Sequence, residues 1–295
     1  MSRKRFLGFC FFFLAATLMC GTAKAAPTDR VGVLVLAHGG SKAWNNQVET
    51  AVREAGLTFP VEVAFGMGMN AREVSNIQRA VDRLREREVN YLVVVPLLVS
   101  SHSSVYRQYQ YLFGLREESS WPDHPVKPVH LDPATHVQML GALDDSPLVA
   151  EILAERARKL SRDPKQEALV IVSHGPETVE DNAMWFAAME RLGRQVQQDG
   201  GYSALELASL QDDAPSSVRE EATRRLRATV EAFSASHRVL VIPLLISEGG
   251  IEEKIPQRLA GLSFVYTAEV LLPHPNIGRW LKQQVEAAVA GSLPR

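Results

Sequence analysis

The sequence predicts an α/β fold of two tandem, doubly wound parallel-sheet domains, a bilobal arrangement in which the domains face a cleft. Three observations lead to this prediction. Apolar segments alternate with amphipathic helical segments, which is typical of βαβ units on a parallel sheet. The apolar segments are continuous, as expected for strands buried on both faces. The order of the segments and several short phrases also occur twice.

The first half begins with an apolar strand that runs directly into the turn Ala37–Gly40, AHGG. Glycines end the strand and turn the chain toward a helix. Apolar stripes three and four residues apart mark the helices, and Pro147 favours a helix start. The predicted elements are, in order, strand Val31–Ala37, helix Trp44–Ala55, strand Val61–Phe65, helix Ala71–Glu86, strand Tyr91–Val99, helix Ser103–Gly114, strand Val126–Leu131 and helix Pro147–Leu160.

The second half repeats this order. AHGG returns as SHGP with a histidine 136 residues later, and VVVPLLVSS returns as VLVIPLLISE. The repeat predicts a tandem duplication of a domain of about 130 residues, which is large enough for its own core. The predicted domains are 26–163 and 164–295, after a separate segment 1–25. The predicted elements of the second unit are strand Ala168–Val172, helix Thr178–Gln198, strand Ala204–Leu210, helix Ser216–Phe233, strand Val239–Ile246, helix Ile251–Leu259, strand Phe264–Val270 and helix Ile277–Val289.

The composition and the absence of several motifs argue against some classes of function. The chain has 295 residues, of which 46% are hydrophobic and 22% charged, and a net charge of -2, which argues against a nucleic-acid partner. The glycine-rich dinucleotide and P-loop motifs are missing, so we expect no nucleotide cofactor. The zinc-protease helix motif and the GxSxG nucleophile motif are missing as well.

The first 25 residues have the features of an export signal. Three basic residues, Arg3 to Arg5, precede an uncharged, Phe-rich core, and Ala23-Lys24-Ala25 forms a small-residue cleavage site. We therefore expect cleavage after Ala25, a periplasmic location and no stable membrane insertion afterwards. An uncleaved inner-membrane anchor is the alternative, although the core is short for a span of about 20 residues.

Both cysteines, Cys10 and Cys20, lie inside this predicted signal. The exported protein would then have no disulfide and no thiolate ligand or nucleophile. Histidine is the better remaining candidate for binding a transition metal.

Two histidines of the first half follow strands that should be neighbours. His38 ends the first strand and His102 follows the third, so both are expected at the carboxyl edge, where open α/β sheets bind ligands. Two imidazoles there suit a divalent metal or proton removal near neutral pH. Gly39, Met67 and Ser101 are expected to line the ligand site beside them. Turn or loop histidines and ordinary packing of the methionine are the alternatives.

The second half repeats only part of this pattern. His174 occupies the place of His38, but the loop after the third strand, ISEGGIEEKIP, has no histidine. Glu248 is the acidic residue nearest that strand end, so His174 and Glu248 are expected to form a mixed site. A solvated helix start is the alternative for the glutamates, since acidic residues favour a helix N-terminus. The asymmetry places the principal site in the first half.

In combination, the duplicated HG turn and the phrase VVVPLLVSSHSS resemble the class II chelatases. These are the sirohydrochlorin cobaltochelatases and ferrochelatases of cobalamin and siroheme synthesis, with protoporphyrin ferrochelatase as a distant relative. The resemblance spans about Val31 to Val289. It implies a bilobal α/β fold with a cleft for a tetrapyrrole, and ATP-independent insertion of a divalent metal, Co²⁺ or Fe²⁺, as substrate.

The resemblance also implies residue roles. His38 and His102 would bind the metal and accept pyrrole protons, with His174 as the equivalent histidine of the second copy. Family members often have a glutamate at the end of the second strand, near Met67 of this chain. The missing glutamate and the predicted export leave open a non-catalytic periplasmic metal or tetrapyrrole carrier. A hydrolase on an unrelated α/β scaffold is a further alternative, because a fold alone does not settle function.

Overall fold

The computed structural model describes residues 30–292. The predicted signal peptide lies outside these residues. No helix within the described range combines the length and apolar character that crossing a bilayer requires.

Two parallel four-stranded sheets confirm the predicted fold class. The first has the strand order β2-β1-β3-β4 and the second the equivalent order β6-β5-β7-β8. The strands are β1 Val31–Ala37, β2 Val61–Phe65, β3 Tyr91–Leu97, β4 His136–Met139, β5 Glu167–Ser173, β6 Ala204–Ser209, β7 Arg238–Leu244 and β8 Val265–Tyr266. The helices are α1 Lys42–Glu54, α2 Ala71–Glu86, α3 Ser104–Leu112, α4 Pro147–Leu160, α5 Val179–Gly200, α6 Ser216–Ser234, α7 Ile251–Arg258 and α8 Pro275–Ser292, with a short 3₁₀ turn at Pro164–Gln166.

The fourth strand of the first half was predicted wrongly. The segment Val126–Leu131 is not a strand; β4 is His136–Met139, which pairs with β3. Pro128 interrupts the predicted strand, and a proline cannot donate to a ladder. The segment instead crosses the outer face of the half, where the backbone N–H of Val129 donates to the Leu112 carbonyl at 2.9 Å. Its valines pack against α2 and α3.

Successive side chains of β1 and β5 point to opposite faces of their sheets and so belong to separate layers of the hydrophobic core. Val33 and Val35 of β1 face a core shared by both halves, whereas Leu34 and Leu36 face the outer helices α2 and α3. β5 shows the same division between the shared core and the outer core beneath α6 and α7. Burial on both faces explains why these strands are continuously apolar.

Helices α1, α4, α5 and α8 form the shared layer between the two sheets. The last helix of each half contacts an inner strand of the other half, α8 against β3 and α4 against β7. The approach of α8 to α1 is close, since a Cβ on Gly278 would lie 3.1 Å from the Ala51 carbonyl oxygen. The two halves therefore share one hydrophobic core.

Candidate active site

The two HG turns lie at equivalent points of the two sheets. In the first sheet β1 lies between β2 and β3, so the next strands of the chain are added on opposite sides of β1. His38 follows β1 at this switch point. His174 follows β5, which lies between β6 and β7. Such a switch point opens a crevice at the carboxyl edge, where ligands bind in this class of sheet. Ala37 of β1 pairs with Leu97 of β3, which confirms that His38 and His102 follow neighbouring strands.

Glycine after each histidine is required by the turn. Gly39 has φ 83° and Gly175 has φ 77°, a region in which side chains with a Cβ are strained. A Cβ on Gly175 would also lie 2.6 Å from the Ser209 Cβ, and one on Gly39 would lie 3.0 Å from the Phe65 Cβ. These glycines bring each histidine close to the adjacent edge strand, so Gly39 has a structural role in addition to its predicted place in the ligand site.

Each HG turn also orients its imidazole. The Nδ1 atom of His38 lies 2.8 Å from the Gly39 carbonyl oxygen, and that of His174 lies 2.8 Å from the Gly175 carbonyl oxygen. A carbonyl only accepts, so Nδ1 carries the proton and donates it. In the neutral ring Nε2 then keeps its lone pair, and a backbone bond of this kind is typical of metal-binding histidines.

Hydrogen bonds from neighbouring residues hold the loop that carries His102 in place. Ser101 donates to Asp144 through its backbone N–H at 2.8 Å and through its hydroxyl at 2.7 Å. The same hydroxyl accepts from the Ala142 N–H at 2.9 Å, and the His102 N–H donates to the Ser100 hydroxyl at 3.1 Å. Ser101 was predicted to line the ligand site, and the structure shows that its hydroxyl positions the His102 loop.

We predict that the Asp144→Ala variant loosens this loop. The change leaves two Ser101 donors in a half-buried loop without their acceptor, which should lower the free energy of unfolding by about 1–3 kcal/mol. Asp145→Ala is the matched control because Asp145 pairs with Arg191 at the surface, where both side chains are more than 40% exposed. An exposed pair contributes about 0–1 kcal/mol. Urea denaturation of both variants measures the difference; equal losses would contradict this role of Asp144.

The loop after β2 is also tightly held. Glu73 accepts from the backbone N–H of Gly68 at 2.9 Å and of Met69 at 3.2 Å, and Tyr109 donates to the Gly66 carbonyl at 2.9 Å. Met67 is half-buried within this loop. Its predicted place in the wall of the ligand site stays a prediction.

The second HG turn lies against the His102 side of the first half. Arg107 of α3 forms two bonds to Asp181 in the first turn of α5, at 2.6 and 2.7 Å. This hydrogen bonding lowers the pKa of Asp181. Because α3 directly follows the His102 loop, this ion pair joins that part of the first half to the helix that follows His174.

The reciprocal contact joins the first HG helix to the Glu248 loop. The Ser247 hydroxyl donates to the Gln47 side-chain oxygen of α1 at 2.5 Å, and a Cβ on Gly249 would lie 3.4 Å from the Trp44 ring. Glu248 itself is exposed in this loop. Each HG turn thus faces a loop from the opposite half, an arrangement that the sequence-based pairing within halves did not include.

His174 has a different carboxylate partner from the one predicted. Its Nε2 lies 3.3 Å from Asp213 Oδ2, in the loop after β6. Asp213 stands near the place that Met67 and Met69 occupy after β2 in the first half. Aligning the ends of the second strands of the two repeats is therefore the sequence signal that could have identified Asp213.

Glu177 is half-buried, and the pKa of its carboxyl group responds to groups of both halves. Burial raises the pKa of Glu177, and the charge of Asp213 raises it further, whereas the Trp121 side chain of the first half lowers it. Sequence analysis missed Glu177, Trp121 and Arg107 because their contacts join segments more than 50 residues apart.

A cleft of about 650 Å³ also opens along β6 between α5 and α6. It is lined by Val179 and Phe186 and reaches Ser209 and Gln211 at the carboxyl end of β6. The histidines of the HG turns are not among its lining residues. Residues 30–292 contain no cluster of three or more histidine, aspartate or glutamate side chains suited to a metal ion.

Comparison with known proteins adds a family match. A family model described as CbiX matches this chain twice, over residues 32–160 and 168–288. The comparison with curated proteins gave no match.

Solved structures with the same fold include three chelatase-like proteins. SirB from Bacillus subtilis with Fe³⁺ has a TM-score of 0.63 at 14% identity, covering 89% of this chain and 97% of that one. CbiX, described as the terminal enzyme for biosynthesis of siroheme in denitrifying bacteria, has a TM-score of 0.56 at 13% identity, covering 87% of this chain and 99% of that one. DR2241 from Deinococcus radiodurans, a multi-domain protein with structural similarity to chelatases, has 0.53 at 18% identity, covering 90% of this chain and 56% of that one.

Proposed function

This chain belongs to the CbiX family, and from that premise we propose that it inserts a divalent metal, Co²⁺ or Fe²⁺, into a tetrapyrrole such as sirohydrochlorin without ATP. The family match over both halves is the observation that carries the proposal. It bears out the predicted resemblance to class II chelatases. The orientation of His38 and the neighbouring strand end that leads to His102 add support from the geometry.

In the proposed mechanism the metal is a substrate that must be bound and then released. His38 supplies Nε2, because its Nδ1 is engaged by the Gly39 carbonyl. His102 supplies the second imidazole from a loop that Asp144 holds in place. Two protein ligands leave other positions on the metal for water and for the pyrrole nitrogens. This incomplete ligand set suits transfer better than the closed, four-ligand set of a structural site.

The carrier hypothesis uses the same residues and differs in turnover. It is favoured by the predicted export signal and by Met67 at the place where family members often have a glutamate. The purified protein should be mixed with an excess of sirohydrochlorin and Co²⁺ or Fe²⁺, with metallation followed by absorbance. We expect many equivalents of product per protein. Product limited to one equivalent would favour a carrier, and no metallation by folded, metal-free protein would contradict the proposal.

We further propose that the protein acts in the periplasm. The proposal depends on residues 1–25 and their predicted cleavage site. Cell fractionation followed by N-terminal sequencing tests it, and we expect a periplasmic protein that begins at Ala26. A membrane-bound protein with an intact N-terminus would support the anchor alternative instead.

A further inference from the structure

The two repeats differ at one edge of their sheets. β2 and β6 are equivalent edge strands, and no other strand within residues 30–292 pairs with their outer edges. Glu62 of β2 lies opposite Leu34, and Glu206 of β6 lies opposite Val170. Leu34 and Val170 each lie four residues before the histidine of their HG turn. The two glutamates therefore occupy the same place in the two copies, so their surroundings can be compared directly.

In the first half, charge pairs cover this edge. The Glu62 carboxylate binds Arg83 at 2.7 Å and Arg87 at 3.0 Å, and the Glu62 side chain is only 12% exposed. Both arginines lie in or at the end of α2. Charged side chains are a common means by which an edge strand is protected from pairing with another chain. The edge of β2 is therefore closed by its own half.

The equivalent edge of the second half has no such cover. Glu206 is exposed and forms no ion pair with any residue in the described range. The arginines nearby are engaged within their own helices, Arg225 with Glu221 in α6 and Arg194 with Glu190 in α5. Glu206 is thus a carboxylate without a countercharge in the middle of a strand whose outer edge is unpaired.

Two clefts flank β6. The cleft of about 650 Å³ reaches from α5 across β6 to α6, and a second cleft of about 590 Å³ lies between β6 and α5. Phe186, Glu206 and Leu207 line both clefts, so the two clefts meet along this strand. Val179, which is 63% exposed, adds an apolar side chain to the larger cleft. Space beside an edge strand accommodates the alternate side chains of a strand that is added to the sheet.

The alternation of β6 decides which side chains of an added strand would enter each cleft. Leu205 and Leu207 pack toward the shared core beside α5, whereas Ala208 belongs to the outer core beneath α6. Glu206 lies two residues before Ala208 and therefore points to the α6 side. An added strand places apolar side chains beside the two leucines and places the side chain opposite Glu206 on the α6 side.

We propose that the outer edge of β6 binds an extended segment of another protein, with a lysine or arginine opposite Glu206 and an apolar residue on either side of it. Backbone hydrogen bonds to the unpaired edge supply the affinity. The basic residue supplies the countercharge that Glu206 lacks, because opposite charges directly across two strands are stabilising and like charges are destabilising. A second copy of β6, with the sequence ALELAS, brings a glutamate and no cation. Charge complementarity therefore favours a basic partner over self-association.

Two fluorescent peptides and a charge-reversal variant test this proposal. The first peptide has the alternating sequence TVTVKVTVT, and the second has glutamate in place of its lysine. Fluorescence anisotropy measures their Kd values. We expect the wild-type protein to prefer the lysine peptide and the Glu206→Lys variant to prefer the glutamate peptide. The Kd of the lysine peptide should rise about 2–30-fold in the variant, because a favourable charge pair becomes an unfavourable one.

Two further variants complete the comparison. Glu231→Lys makes the same charge change at an exposed residue of α6 that lines neither cleft, so it should bind both peptides as the wild type does. Glu206→Gln removes the charge with little change in size and should lose the preference between the peptides. Circular dichroism checks that each variant is folded, and the neutral variant keeps the test valid if charge reversal impairs folding.

Amide hydrogen exchange locates the bound peptide. The lysine peptide should slow exchange in β6 of the wild-type protein. No binding at millimolar peptide, equal binding of the two peptides to the wild-type protein, or protection away from β6 would overturn the proposal. Slow exchange in β6 that appears when the protein alone is concentrated would show that a second copy occupies this edge, which would overturn it as well.

Discussion

The His38→Ala/His102→Ala double variant is expected to lose metal insertion almost completely while remaining folded. The change removes both proposed metal ligands. We expect kcat/KM to fall at least about 10²–10⁴-fold, the range for one positioned catalytic group. His38 is exposed and His102 half-buried, and the turns are held by glycine geometry and by the Asp144 bonds rather than by the imidazoles. Metallation assays and circular dichroism measure the two effects.

A surface histidine provides the control for this prediction. His130→Ala changes an exposed residue whose backbone N–H donates to Gln78, a bond that survives the substitution. Its activity should equal that of wild type. Single variants should show that each histidine is needed. Unchanged metallation by the double variant would move the site to His174 and its partners in the second half.

The Leu281→Ala variant is expected to destabilise both halves together. Leu281 is fully buried in the core shared by the two sheets, and its helix α8 contacts α1, α4 and β3 of the first half. Removing a buried leucine side chain costs about 2–5 kcal/mol of the free energy of unfolding. Urea unfolding should show one transition at lower denaturant, and amide hydrogen exchange should accelerate in β1 and in β5.

An exposed residue of the same helix serves as the control. Gln284→Ala should change the free energy of unfolding by no more than about 0.5 kcal/mol, as is usual for surface positions. If amide hydrogen exchange in the Leu281→Ala variant accelerated only in the second half of the protein, the two halves would unfold separately. That result would contradict the interpretation of a shared core.

The sequence predicted those parts of the fold that depend on local pattern. The bounds of β1 and β2 agree with the prediction because each apolar or alternating segment ends at a glycine-containing turn. Pro147 marked the start of α4 in the same way. β4 was misplaced because an apolar segment containing Pro128 packs on the outside of the half. β8 is only two residues long, although a longer strand was predicted.

The candidate site was predictable where it repeats and where the strand order brings two strand ends together. His38 and His174 were found because their turn occurs twice, and the neighbouring strands of His38 and His102 followed from the topology. Asp213 and Glu177 lie in non-periodic segments, and their partners come from other loops or from the other half. Charge and spacing along one chain carry no signal for such contacts, which explains why His174 was expected to pair with Glu248.

The central claim is that His38 and His102 bind the metal substrate, and a crystal of the protein soaked with Co²⁺ tests it most directly. Anomalous scattering at the cobalt edge locates the ion independently of any assumed ligand. The proposed site predicts a peak bonded to His38 Nε2 and to the His102 ring. A peak at His174 and Asp213 with none at His38, or no bound cobalt in the cleft, would contradict the claim.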